Sequence, residues 1–470
     1  MGKHKKYNRR DFLKTAGCAA LGSATFFSAL FDLGMANEAA ARAVQTYSTT
    51  TGDYKALVCI LLAGGNDSFN MLVPYGGSAY DEYKTTRSNI ALKSDEILPL
   101  TPLAGSQIPL AVHPSMPEVQ QLFDAGRLAF VANVGTLVEP TTKQQFNSGG
   151  VRVPLGLFSH ADQIQQWQTS VPQSRSANGW GGRMADILQS MNSNQNISMN
   201  ISLSGRNVFQ SGNLIAEYNI RSTETGSIGI QGYKGASTFD QIKTSAIDSL
   251  MEQQYNDLFT QTYADVVLNA QGTHEMFSSA INSGSLNTTF SEGEFSQAMN
   301  MVAKTIAVRE NLDVCRQCFF ITIDGWDHHD RILNNHESSL MELSKGLQEF
   351  NSAMEELGLA DSVTTFTMSD FGRTLTSNGN GTDHAWGGNV LVMGGAVNGG
   401  QVHGSYPTLA LGSDLDVENG VLIPTLSTDE YFAELALWFG VTTTDLPTIL
   451  PNLTNFYSLG GGAPIGFMKA

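Results

Sequence analysis

Acidic and imidazole side chains collect at a few points of this 470-residue chain, and each point borders an apolar run. Asn66-Asp67 follows 56–62, and Asp324-Gly-Trp-Asp327-His328-His329-Asp330 follows 319–323. Ser369-Asp370-Phe371-Gly372-Arg373-Thr374 follows 363–368, while Asp383-His384 shortly precedes 389–393. Carboxylate oxygen and imidazole nitrogen are the donors that hard and borderline divalent cations take. Carboxylates gathered without a cation repel one another and are driven toward protonation. A metal, a cationic ligand or an arginine is therefore expected among them. Asp67, Asp324, His328, Asp370 and His384 are the expected ligands of a divalent ion (Zn, Mn, Ca or Mg). His328 is preferred to its neighbour His329 because adjacent side chains diverge and the Asp324-x-x-x-His328 spacing favours it. Taken singly, each of these residues also reads as a turn-former or helix cap.

Two further groups complete the chemistry. Ser159 in Phe158-Ser159-His160-Ala-Asp162 fits a nucleophile at a helix N-terminus, where backbone N–H groups receive an anionic phosphoryl or sulfuryl group. The Ser159-x-x-Asp162 spacing equally fits a capping box. His160 points either at the site or into the core. Arg373 is available for a bidentate contact to an anion. Ser159, His160 and Arg373 are thus the expected catalytic residues, and a small anionic molecule the expected substrate.

These residues need a scaffold that brings distant segments to one rim. The runs 56–62, 128–134, 319–323, 363–368 and 389–393 read as strands buried on both faces. Helical patterns lie between them at 116–125, 180–191, 239–269, 295–312 and 336–357. Strand–helix alternation predicts an α/β fold, a doubly wound and mostly parallel sheet with helices on both faces, whose ligands sit beyond the carboxyl ends of the strands. A Gly/Ser/Asn-rich segment, 202–237, is expected to form a small β excursion or hairpin. Ser427-Thr-Asp-Glu430 predicts a capping box opening a helix at 431–439.

The first 43 residues read as a targeting segment rather than as fold. A basic start leads to Arg9-Arg10-Asp11-Phe12-Leu13, then a Gly- and Ala-diluted apolar stretch, then cleavage sites after Ala36 or Ala43. Gly17, Gly22, Asp32 and Gly34 make that stretch weak as a membrane anchor. A twin-arginine signal is expected, with the export machinery as partner, a periplasmic or secreted destination, and no stable membrane insertion after processing. One large domain, 44–470, would follow. Residues 1–43 hold seven of the 27 Lys and Arg but three of the 44 acidic residues, so the remainder carries a formal charge near −21. Such a surface excludes nucleic acid and anionic lipid as ordinary partners. Three later cysteines, Cys59, Cys315 and Cys318, are too few for a disulfide framework. Cys315-x-x-Cys318 fits core packing or a local bridge better than a redox pair.

The arginine-pair leader, Gly64-Gly65-Asn66-Asp67-Ser68-Phe69-Asn70, Ser159-His160 with Trp167, Gly325-Trp326-Asp327-His328-His329, Ser369–Thr374 and Asp383-His384 together resemble the exported domain of unknown function 1501 family. That family is similar in turn to the alkaline phosphatase and sulfatase superfamily. The resemblance implies an alkaline phosphatase-like sheet with a two-metal site, in which Asp67, Ser159, Asp324, His328, Asp370 and His384 are the matching positions. Phe371 stands where the superfamily has a ligating histidine, which His160 or His329 would have to replace. Two functions follow as expectations: an exported, metal-dependent phosphate or sulfate ester hydrolase, or a non-catalytic binding or surface-assembly protein on the same scaffold.

Overall fold

A computed structural model describes residues 53–103, 108–223 and 225–469. The expected export segment lies outside them. The chain divides into two compact units: one contains Ile228–Met276, the other Tyr47–Ser227 with Phe277–Ala470.

The larger unit is built on β1 (Lys55–Leu62), β2 (Leu72–Pro74), β3 (Leu98–Pro99), β4 (Leu110–Val112), β5 (Leu128–Gly135), β6 (Asn200–Ser202), β7 (Tyr218–Asn219), β8 (Arg316–Ile323), β9 (Val363–Ser369), β10 (Gly388–Met393), β11 (Val402–His403) and β12 (Leu426–Ser427). Nine of these form one sheet in the order β11-β5-β10-β9-β1-β8-β6-β7, with β12 also on β5. All run parallel except β10, which is antiparallel to both β5 and β9. The five apolar runs thus become β1, β5, β8, β9 and β10, the doubly wound sheet expected of two-face-buried strands. β1, apolar almost throughout, takes the central place between β8 and β9.

Alternation along each strand feeds two cores. Leu57, Cys59 and Leu61 join one cluster with Trp167, Trp180, Phe432 and Leu435, from helices His160–Thr169, Trp180–Leu188 and Thr428–Phe439. The alternate residues Val58 and Ile60 are equally buried on the opposite face. Beside that face helix Ile332–Glu356 runs against Glu294–Ala307 and Pro117–Asp124. The capping box at Ser427 and Glu430 forms as expected.

Three details depart from the sequence reading or narrow it. β2, β4 and β3 make a separate three-stranded antiparallel sheet, in strands too short for periodicity to reveal. Of the excursion or hairpin expected over 202–237, the described residues form the excursion: β7 adds to the sheet edge parallel to β6, which needs a crossover rather than a turn. The expected helix 239–269 is two, Thr238–Met251 and Leu258–Ser283. In the smaller unit a cleft of about 190 Å³ is lined by Ile230, Tyr233, Ile247, Val267 and Leu268, and its charged residues Lys234 and Glu275 pair with each other at 2.8 Å. It gathers no chemistry.

Candidate metal centre

Register decides what meets at the rim. Leu62 lies opposite both Ile323 and Ser369, so β1, β8 and β9 end level. Because β10 is reversed, the residues before it arrive at that same rim, and Arg373 bridges His384 across the gap. The loop after β1 and the loop after β8 touch: a Cβ on Gly64 would stand 2.4 Å from the Asp327 nitrogen, and its φ is +122°. Only glycine tolerates both conditions.

Four side chains from two of these segments and the helix His160–Thr169 converge. Asp327 Oδ2 lies 3.6 Å from His160 Nε2, while Asp327 Oδ1 lies 3.5 Å from His384 Nε2 and 3.0 Å from His329 Nε2. His329 Nε2 and His384 Nε2 are 2.9 Å apart. Ligand atoms of His160, Asp327 and His384 all fall within 4.8 Å of one another, the spacing a metal ion requires. Arg373 donates to Asp327 Oδ1 at 2.7 Å. Burial works to raise the Asp327 carboxyl, but Arg373, His329 and His160 together hold it below its ordinary value.

The outer nitrogen of each imidazole fixes what the inner one offers. His160 Nδ1 meets Asp370 Oδ2 at 2.6 Å, His384 Nδ1 meets the Phe158 carbonyl at 2.8 Å, and His329 Nδ1 meets Asp383 Oδ1 at 3.1 Å. Carbonyl and carboxylate oxygens only accept, so each Nδ1 carries a hydrogen, and each ring in its neutral form presents a lone pair at Nε2. Three lone pairs and a carboxylate therefore face one another. Acceptors crowded in this way need a cation or added protons between them. The Phe158 carbonyl reaches His384 because Phe158 adopts φ +75°, a conformation that costs a bulky residue energy and occurs where surroundings enforce it. Phe371 packs its ring 4.9 Å from His160 and 4.5 Å from His384, walling the two imidazoles in place.

The residues expected from sequence fall into different places. His384 and His160 are in the group, His160 in the place the resemblance left for a substitute ligand. Asp370 touches it through His160: it is fully buried, and its other oxygen accepts the Gly64 N–H at 3.0 Å. Asp67 does not join it; the carboxylate is buried against the Arg87 guanidinium, both side chains fully shielded. Asp324 is exposed at the end of β8, outside the group. His328 is turned into a buried set of rings, 5.5 Å from His336 and 6.3 Å from Trp326. Arg373 is not open to an anion, since its guanidinium is shielded and bound to Asp327, Thr382 and Gly64. Ser159 precedes the helix but makes no side-chain cap bond, and Asp162 instead pairs with Arg175 at 3.0 Å. The capping box expected there does not form, and the hydroxyl is left half-exposed.

Asp327 and Asp383 were noted in the sequence among the clustered acidic residues but not chosen as ligands, and His329 entered only as a replacement for the histidine that Phe371 displaces. The signal was present as Asp327-x-His329. After Trp326 the backbone makes successive i→i+2 turns, with His328 N on Trp326 O and His329 N on Asp327 O, both at 3.0 Å. Alternate residues there share a side, so Asp327 and His329 face the rim while His328 turns inward. The four-residue Asp324–His328 spacing suits a helix, and none forms. The buried companions His113 and His336 were also missed; burial pushes His113 down to about 4 and His336 well below its ordinary value. Cys59, Cys315 and Cys318 are free, and burial pushes all three thiols up, which removes them as reactive groups.

The sheet topology and the group at its strand ends define the class: a doubly wound α/β protein with a His/Asp centre. The chain belongs to the family described as protein of unknown function (DUF1501), whose model matches residues 54–434. No curated protein matches it. Among solved structures it is similar to the PsFucS1 sulfatase from Pseudoalteromonas sp., at 11% identity and a TM-score of 0.29, over 87% of this chain and 71% of that one. It is also similar to the lipooligosaccharide phosphoethanolamine transferase A (EptA) from Neisseria meningitidis, at 9% identity and a TM-score of 0.35, over 83% of this chain and 56% of that one. A third is an alkaline phosphatase PafA mutant, at 9% identity and a TM-score of 0.24, over 69% and 64%. Likeness at this level transfers neither site nor activity. No helix among the described residues is long and apolar enough to cross a membrane.

Proposed function

We propose that the protein is an exported, metal-dependent hydrolase of phosphate or sulfate esters, with a divalent cation held by His160, His384 and Asp327 and bordered by His329. The observation that carries this reading is the meeting of acceptor atoms alone, three Nε2 lone pairs and the Asp327 carboxylate. A nitrogen-rich donor set suits Zn better than Mn, Ca or Mg, which favour oxygen. A bound dication supplies Lewis acidity, polarising an ester oxygen and lowering the pKa of a hydroxyl or water at the site. Asp370, Asp383 and the Phe158 carbonyl keep the imidazoles turned inward. Arg373 offsets the charge of Asp327 from behind. Ser159, its hydroxyl free of the helix cap, stands next to His160 as the nucleophile. The free N–H groups opening helix His160–Thr169 suit an anionic group on the substrate. The acidic remainder of the chain and its arginine-pair leader support export by the twin-arginine route to the periplasm or beyond.

The test is equilibrium dialysis of the purified protein against Zn, Mn, Mg and Ca, followed by hydrolysis of p-nitrophenyl phosphate and p-nitrophenyl sulfate. One equivalent of Zn is expected to bind. Asp327→Ala and His384→Ala should each weaken it at least tenfold and abolish turnover. Wild-type protein that retains no transition metal removes the reading. A second reading, a binding protein on the same scaffold, is favoured by the closed Asp67–Arg87 pair and the committed Arg373, which leave neither of these two arginines open to an anion. It expects the same cation without turnover of either ester.

A further inference from the structure

We infer that Asp370 is a positioning residue that sets the tautomer of His160, not a ligand of the cation. The inference rests on the metal reading above. Both Asp370 oxygens are already committed: Oδ2 takes the His160 Nδ1 hydrogen at 2.6 Å, and Oδ1 takes the Gly64 N–H at 3.0 Å. The side chain is fully buried at the end of β9, so it turns no exposed oxygen toward the group of acceptors. His160 is the imidazole that reaches Asp327 Oδ2, whereas His329 and His384 approach Oδ1. Its ring is walled by Phe371 and crossed edge-on by His384 at 4.3 Å, so it keeps its place while the hydrogen on Nδ1 is held by Asp370 alone. A carboxylate behind a ligating histidine fixes ring orientation and raises the basicity of the inner nitrogen.

The reasoning makes a sharp demand on Asp370→Asn, which preserves shape. The Gly64 N–H can only donate, so it claims the amide oxygen. The amide NH₂ is then left facing His160 Nδ1, which must give up its hydrogen. The proton moves to Nε2, and the lone pair aimed at Asp327 is lost. Loss of such an outer partner typically weakens metal binding on the order of 10- to 100-fold.

Nitrogen-15 NMR of the imidazoles in metal-free protein reads the tautomer directly, and Zn titration by competition with a chelating dye reads the consequence. Wild-type His160 is expected as the Nδ1–H form and Asp370→Asn as the Nε2–H form, with Zn held 10- to 100-fold more weakly. In a His160→Ala background Asp370→Asn should cost no further affinity, because the residue acts only through that imidazole. An Nε2–H form in wild type overturns the inference, and so does an equal further loss in the His160→Ala background. The wild-type spectrum keeps the test open should the Asn variant fail to fold. If wild type binds no Zn but shows the Nδ1–H form, the metal reading falls while the assignment of Asp370 stands.

Discussion

Arg87 and Arg373 are each fully shielded and each reaches a carboxylate, yet the two pairs leave different things free. Arg87 grips Asp67 and also donates to Asn70 Oδ1 at 3.2 Å and to the Thr374 carbonyl at 3.0 Å, tying the turn after β1 to the loop after β9. Asp67 there is a buried counter-ion. Asp327, 42% exposed, still faces three imidazoles after Arg373 has bound it. The distinction can be tested at the residue itself. Breaking a buried pair by removing one partner typically costs about 3–5 kcal/mol, because the other charge is stranded. Asp67→Ala should lose that much in urea denaturation while the folded protein still binds its equivalent of Zn. An Asp67→Ala protein of unchanged stability that no longer holds metal would return Asp67 to the ligand set. Neighbouring polar residues share the structural role: Asn66 Oδ1 accepts from His336 Nε2 at 2.9 Å, and the Asn389 N–H donates to Ser68 Oγ at 2.8 Å.

Strand ends do the gathering, and their level register makes loops of unrelated sequence neighbours. The reversed β10 matters most, since a parallel strand would have carried His384 to the opposite end of the strands. The approach of the β1 loop to the β8 loop depends on Gly64. A methyl group there would press on the Asp327 nitrogen and the Trp326 carbonyl carbon, at 2.4 and 2.8 Å, in a backbone region closed to most L residues. Gly64→Ala is expected to destabilise the protein by roughly 1–3 kcal/mol and to weaken Zn binding together with stability, since relief requires moving Asp327. Denaturant midpoints and Zn affinities measured on the same samples check this; loss of stability with unchanged Zn affinity would show that the two loops move independently. The five long strands were legible because unbroken apolar runs have few other uses. β2, β3 and β4 span two or three residues each, too few for alternation to declare itself.

For the whole molecule the balance of buried ionisable groups sets the response to acid. Burial keeps His113 and His336 neutral in the fold, with His113 down to about 4. Their unfolded forms titrate near 6.5, so they favour folding above that pH, and this contribution is lost as pH falls toward 4. Asp429 acts oppositely. Burial raises it to about 7, against Ser170 and Arg183, and neither oxygen finds a well-formed hydrogen bond. The fold therefore holds that proton where the unfolded chain has lost it, and its contribution declines as pH rises from about 4 to 7. Metal-free protein is expected to lose stability on acidification from pH 6.5 to 4, with roughly 3 kcal/mol as an upper bound for the His113 share. Asp429→Asn should steepen that loss by removing the opposing group. Urea midpoints across this range provide the measurement, and a shallower slope in Asp429→Asn would contradict the assignment.

Sequence alone determined the sheet and its helices, because burial on two faces writes itself into composition, and it placed Asp and His residues at the strand ends. It could not say which carboxylate would receive an arginine and which an imidazole. Asp67 meets Arg87 at a separation of 20 residues, Asp327 meets Arg373 at 46, and His160 meets Asp370 at 210. Those choices turn on the directions of side chains in loops without a repeating geometry. Only the packed tertiary structure fixes such directions, through a reversed strand, a glycine that lets two loops touch, and the closed volume around the buried charges.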